Sequence, residues 1–104
     1  VAEALTLARR AGADPAKVRQ ALKGGFADSR ILELHGQRMV SGDFRPGGKA
    51  TTQRKDLAQA LDLAAELGLE MPATRLNKEL YDHLIADGFG DLDHSALIKV
   101  LDPK

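Results

Sequence analysis

Cysteine and tryptophan are absent from this chain of 104 residues, which carries only one tyrosine and three phenylalanines. Without cysteine there is neither a disulfide framework nor a thiolate zinc site, and the absence alone assigns no redox compartment. Net charge is missing too: fifteen basic and fifteen acidic residues cancel. That balance removes the positive field expected of a nonspecific nucleic-acid or membrane-surface binder and leaves room for a local anion site. No apolar run approaches the about 18 residues of a bilayer span. The opening Val1-Ala2-Glu3-Ala4-Leu5 has no initiating Met and no basic n-region, and its pattern is already helical, so it reads as part of something longer.

What is present is aliphatic. Apolar residues make up 43% of the chain and aromatics 4%, with leucine and alanine supplying most of the apolar share, a composition suited to packed helices. A chain this long forms one domain that buries roughly two thirds of its unfolded surface.

Apolar spacing and punctuation divide it into six helices. Ala4, Leu5, Ala8 and Ala11 form one stripe, closed by Gly12. Asp14 as N-cap and Pro15 at the first helical position open a second, short helix carrying Val18 and Leu22. Ser29 opens a third through Ile31, Leu32, Leu34, Met39 and Val40, running to about Val40 with Gly36 as a weak point. The stretch "SGDFRPGGKATT" is a loop. From Thr52 onward Leu57, Ala60, Leu61, Ala64 and Leu67 line one side of a fourth helix, with Lys55, Gln59, Asp62 and Glu66 opposite and a Schellman-type stop at Gly68-Leu69. Ala73 to Asp87 carries stripes Leu76, Leu80, Leu84 and Tyr81, Ile85 that predict a broadly buried fifth helix. Asp93 or Ser95 caps a last run, Ala96 to Leu101. The reading is an all-α bundle without strands.

Candidate chemistry is sparse. "TTQRKDLAQAL" sets Arg54 and Lys55 in the first turns of the fourth helix, where acidic residues are the usual choice. After a glycine-rich loop, that arrangement attracts a phosphate or carboxylate, although a solvated Lys55 and a dipole-partner Asp56 fit the spacing as well. "DGFGDLDHS" fails as a calcium loop, because Phe89, Leu92 and Ile98 stand at positions three, six and twelve counted from Asp87. His35, His83 and His94 lack metal-ligand spacing and are expected at the surface or at caps; no metal site is expected. Gly47-Gly48 is too short for a dinucleotide fingerprint, and no nucleophilic triad is present.

Taken in order, "EALTLARRAGADPAKVRQAL", "FADSRILELHGQRMVSGDFRPG", "KDLAQALDLAAELGLEMP" and "LYDHLIADGFGDLDHSAL" resemble the C-terminal helical domain of the β-hydroxyacid dehydrogenases over essentially the whole chain. The branch they are most similar to is 2-hydroxy-3-oxopropionate (tartronate semialdehyde) reductase, with 3-hydroxyisobutyrate dehydrogenase nearby. The resemblance implies a 6-phosphogluconate-dehydrogenase-like helical domain, residues 1–104, whose partner Rossmann domain, binding NAD or NADP, lies outside this sequence. It implies hydride transfer between nicotinamide and a short 3-hydroxy acid or its semialdehyde, with the general acid/base lysine upstream and no catalytic residue in this stretch. Alone, residues 1–104 would be inactive.

The family's KDL motif matches Lys55-Asp56-Leu57. By that match Lys55 contacts the cofactor, Asp56 takes a substrate-side or orienting role, and Leu57 is core. Gly48 stands where relatives carry an aromatic residue bordering the substrate; either Phe44 compensates or the substrate differs. Lys49 could add a cation nearby, and Asp93, Ser95, Ala96 and Leu97 match an end motif read as capping. A homo-oligomeric, cytoplasmic enzyme without nucleic-acid or membrane partners is expected. The alternative is a noncatalytic helical interaction or oligomerisation module.

Overall fold

The computed structural model describes residues 1–103. It holds α1 (Ala2–Arg10), α2 (Pro15–Leu22), α3 (Arg30–Ser41), α4 (Ala50–Glu66), α5 (Pro72–Ala86), a 3-10 turn (His94–Leu97) and α6 (Ile98–Leu101). Among the described residues there is no strand, only an isolated antiparallel bridge between Lys49 and Asp93. No described helix is long and apolar enough to cross a membrane.

Local chemistry sets most boundaries. The Asp14 carboxylate accepts the Ala16 amide and the Ser29 hydroxyl accepts the Leu32 amide, so both expected N-caps form. At the end of α4 the Leu69 amide donates to the Ala64 carbonyl and the Gly68 amide to that of Ala65, a Schellman stop that requires the positive φ of +67° at Gly68. Gly36 does not break α3. A Cβ there would lie in ordinary contact with Leu32 and Arg19, whose guanidinium crosses this spot to donate to the Leu32 and Glu33 carbonyls and so ties α2 to α3.

α4 starts two residues earlier than its apolar stripe predicts. Lys49 offers it no side-chain cap. Its first amides are satisfied from far along the chain instead: Ala50 N–H donates to the Leu92 carbonyl at 2.8 Å and Thr51 N–H to that of Gly90 at 3.2 Å. The core lies at this junction, where Ala50, Tyr81, Leu84 and Ala96 are buried and Phe44, Leu57, Phe89, Leu92, Leu97 and Val100 pack around them.

The radius of gyration, 14.5 Å over extents of 43 × 32 × 24 Å, exceeds the about 13 Å of a compact chain this long. That elongation leaves apolar side chains uncovered. Leu67 and Leu76, expected on buried stripes, are exposed together with Leu63 and Leu69 at the far end of the α4–α5 hairpin. The α5 face is therefore buried only toward its C-terminal half, through Tyr81 and Leu84.

Candidate functional site

The loop from Gly42 to Lys49 is held by one carboxylate. Asp93 is fully buried. One of its oxygens accepts the amides of Gly47 (2.9 Å) and Gly48 (3.2 Å), and the other accepts the Ser95 amide (3.0 Å) and the Ser95 hydroxyl. Backbone bonds close the clasp: the Asp93 amide donates to the Phe44 carbonyl and the His94 amide to the Gly48 carbonyl. Burial pushes the Asp93 carboxyl upward, but the donors from Ser95, Gly48 and Gly47 outweigh it and hold the group below the ordinary carboxylate range. Asp93 caps the 3-10 turn as expected, and it also fixes the loop that leads into α4.

Three side chains gather around this carboxylate. Arg38 reaches within 3.6 Å of it while donating to the Arg45 carbonyl across the loop. His35 Nδ1 lies 3.8 Å from it, buried and without a hydrogen-bond partner. The His35 and His94 rings meet edge to face at 4.2 Å between centroids, and the Tyr81 hydroxyl donates to the His94 carbonyl at 3.0 Å. His83 is exposed as expected. His35, partly buried within α3, corrects the expectation of histidines at the surface or at caps, while His94 opens the 3-10 turn beside its cap; the two sit 59 positions apart in sequence and are joined only by the fold. His35, Asp93 and His94 place potential ligand atoms within 4.8 Å of one another. Both Asp93 oxygens are already saturated with donors and Arg38 adds positive charge, so the cluster's chemistry is that of a latch.

The residues matched to chemistry lie just beyond the latch. Lys55 and Asp56 are exposed on α4, and neither forms an ion pair or side-chain hydrogen bond among the described residues. Arg54 differs from its neighbour, because its Nε donates to Asp82 at 2.7 Å, a carboxylate that also takes Lys78 at 2.9 Å. The two adjacent cations thus separate into one ion-paired with α5 and one facing outward without an ion pair among the described residues. Leu57 packs against the core as expected.

Both backbone groups of Gly48 are engaged, its amide by Asp93 and its carbonyl by His94. What this position offers is an absence of side chain: a Cβ there would lie 3.4 Å from the His94 ring. Phe44 is turned toward the core. Among the described residues Lys49 reaches only Asp91, at 3.5 Å between exposed groups. The latch residues Arg38 and His35 had no signal in the sequence beyond their chemical type, whereas Tyr81 was marked for burial by its stripe on the fifth helix. Asp93 and Ser95 had a signal too, as a capping motif.

Residues 1–101 match the family described as the NAD-binding domain of NADP-dependent 3-hydroxyisobutyrate dehydrogenase. The chain is 52% identical over 102 residues to 2-hydroxy-3-oxopropionate reductase of Escherichia coli (strain K12), covering 98% of this chain and 35% of that protein. It is 37% identical over 101 residues to a probable mitochondrial 3-hydroxyisobutyrate dehydrogenase-like protein of Arabidopsis thaliana, covering 97% of this chain and 32% of the relative. Among solved structures, 3-hydroxyisobutyrate dehydrogenase of Salmonella typhimurium superposes with a TM-score of 0.91 at 29% identity, over 95% of this chain and 35% of that one. The Mycobacterium tuberculosis 3-hydroxyisobutyrate dehydrogenase determined with L-serine gives 0.86 at 27% identity, over 97% and 37%. The chain spans about a third of the length of the relatives it matches.

Proposed function

The chain belongs to the family of the NAD-binding domain of NADP-dependent 3-hydroxyisobutyrate dehydrogenase, and on that premise we propose that it is the C-terminal helical domain of an NAD(P)-dependent reductase. The reaction is hydride transfer between nicotinamide and a short 3-hydroxy acid or its semialdehyde, of the 2-hydroxy-3-oxopropionate type. The substrate reading is supported by the 52% identity to the Escherichia coli reductase. A Rossmann domain elsewhere in the protein would bind most of the cofactor and supply the general acid/base, and residues 1–104 alone would be inactive. Cytoplasmic placement belongs to the same proposal.

When bound, the nicotinamide supplies the hydride chemistry. This chain contributes charge and shape. Lys55 presents an unpaired ammonium toward the facing domain, where it attracts a phosphate or the electron-rich oxygens of the cofactor. Asp56 is one residue on and orients the substrate side. The Asp93 latch positions the Gly47–Lys49 loop ahead of that turn, and Gly48 leaves room beside the His94 ring for a substrate group.

The observation that carries the reading is the contrast between Arg54, ion-paired with Asp82, and Lys55, which has no ion pair among the described residues. In the full-length enzyme, Lys55→Ala should raise the cofactor KM by about tenfold or more, the loss of one charge-assisted contact. An unchanged KM and kcat would remove the role assigned to Lys55.

The second reading, a helical association module, is favoured by the exposed Leu63, Leu67, Leu69 and Leu76. This apolar end also suits a homo-oligomer of the enzyme. Leu67→Lys with sedimentation analysis tests association: a smaller assembly supports it and an unaltered one removes this surface from the interface. Retained assembly without any turnover of hydroxy acids by the full-length protein would favour the module over the enzyme.

A further inference from the structure

The side chain of His35 is 18% exposed, and its Nδ1 is buried with no hydrogen-bond partner among the described residues. A ring nitrogen buried and left unpaired is rare and calls for a reason. The carboxylate beside it is occupied. Asp93 Oδ2 stands 3.8 Å away, beyond hydrogen-bond reach, and already accepts the Ser95 amide at 3.0 Å and the Ser95 hydroxyl. Oδ1 accepts the Gly47 and Gly48 amides and has Arg38 at 3.6 Å.

A proton on this ring would be poorly received. Arg38, on the same helix, presents a cation to the cluster, and the His94 ring lies 4.2 Å away between centroids. Tyr81 of α5, pushed up to about 12, is neutral and donates to the His94 carbonyl. Glu3 of α1 lines the same groove but is exposed, so Asp93 is the anion that attracts the proton. Burial first, then His94, with Arg38 adding and Asp93 opposing, keeps His35 below 6.5.

Two routes relieve a protonated His35, and both disturb the clasp. Its new N–H can take Asp93 Oδ2 from Ser95, drawing the carboxylate toward α3 and away from the loop amides. Alternatively the ring can turn into the groove of about 280 Å³ that runs past it, lined also by Ile31, Gln53, Tyr81 and His94. That move withdraws the ring packed against His94, whose amide holds the Gly48 carbonyl.

We propose that His35 is a positioning residue for the Gly47–Lys49 loop, holding it while neutral and releasing it when protonated, so that the entrance to α4 loosens in mild acid. The closed clasp binds fewer protons than the open one, so opening grows as pH falls below 6.5, by at most about tenfold per pH unit for one proton. The consequence for cofactor binding rests on the role proposed for Lys55; the consequence for the loop does not.

Amide exchange at Gly47 and Gly48 in the full-length protein, corrected for the intrinsic pH dependence of exchange, reads the clasp directly. Protection at both glycines should fall between about pH 7.5 and 5.5, while that of Leu69, bonded at the far end of α4, holds steady. His35→Gln, which cannot take up the proton, should make the protection independent of pH over this range; His35→Asn serves if that variant does not fold. A flat wild-type profile, an equal fall at Leu69, or a fall that survives His35→Gln and vanishes in His94→Gln would each overturn the proposal. The cofactor KM should rise over the same range more in the wild type than in His35→Gln, with kcat less affected. Loosening of the loop with no difference in KM would support the switch and remove the role given to Lys55.

Discussion

Replacing Asp93 with asparagine tests the latch, because it keeps shape and volume while removing charge and one acceptor. In the native chain each carboxylate oxygen accepts two donors, Gly47 and Gly48 on one side and the Ser95 amide and hydroxyl on the other. An asparagine must turn its NH2 toward one of these pairs. The less costly choice faces Ser95, whose hydroxyl can rotate to accept, so that only the Ser95 amide is orphaned while the loop amides keep a neutral acceptor. A hydrogen bond to a charged group contributes about 1.5–3 kcal/mol and an orphaned buried donor costs about 1–3. With the remaining bonds weakened, Asp93→Asn should destabilise the chain by about 3 kcal/mol, a large part of the about 5–15 kcal/mol typical of a domain. Ser95→Ala, which loses only the hydroxyl bond, should cost about 1–2 kcal/mol.

Urea unfolding followed by circular dichroism measures both variants, and amide exchange at Gly47 and Gly48 reports the loop itself. A change below about 0.5 kcal/mol for Asp93→Asn, with exchange at both glycines unaltered, would refute the latch, since water would then serve these amides equally well. The acid side has a definite sign. Because the folded Asp93 carboxyl is held below its ordinary range, its contribution is present above about pH 3.9 and is lost as pH falls below that. The asparagine variant should lack that component of acid unfolding.

Leu84 is fully buried at the core junction, so Leu84→Ala should cost about 2–5 kcal/mol in the same unfolding experiment. Tyr81, the chain's only tyrosine, is pushed up to about 12 by burial and by the nearby Asp93 charge; tyrosinate absorbance should therefore rise only near that pH, and a rise centred near pH 10 would show its hydroxyl to be open to water. Burial first, then the neighbouring His94, with Arg38 adding and Asp93 opposing, lowers the His35 pKa below 6.5. The folded chain then binds fewer protons than the unfolded one as pH falls below 6.5, so stability should decline in that direction. His35→Phe should flatten this slope, and an equally steep decline in the variant would exonerate His35.

Most helices were legible because their signals are local. Asp14-Pro15, Ser29 and Gly68-Leu69 act within one turn of themselves, and each does what its chemistry predicts. The early start of α4 was hidden, because the carbonyls that cap it belong to Gly90 and Leu92, about forty residues away. The exposed Leu67 and Leu76 misled for a related reason: an apolar stripe says that a face wants cover and does not say which body provides it. For the candidate site, KDL was visible as a motif, but the separation of Arg54 from Lys55 depends on Asp82 of α5. The pairing of His35 with His94 likewise follows from α3 lying beside the 3-10 turn, which no spacing rule reveals.

The clasp between Asp93 and the loop also imposes an order on synthesis. Gly48 leaves the ribosome 45 positions ahead of the carboxylate that fixes it. At about 5–20 residues per second, that is a delay of roughly 2–9 s in which the entrance to α4 has no cap and the turn bearing Lys55 can fray. The nascent chain completes this surface only when the 3-10 turn carrying Asp93 emerges, so a ribosome stalled after α5 would expose a hairpin whose α4 entrance is still unset.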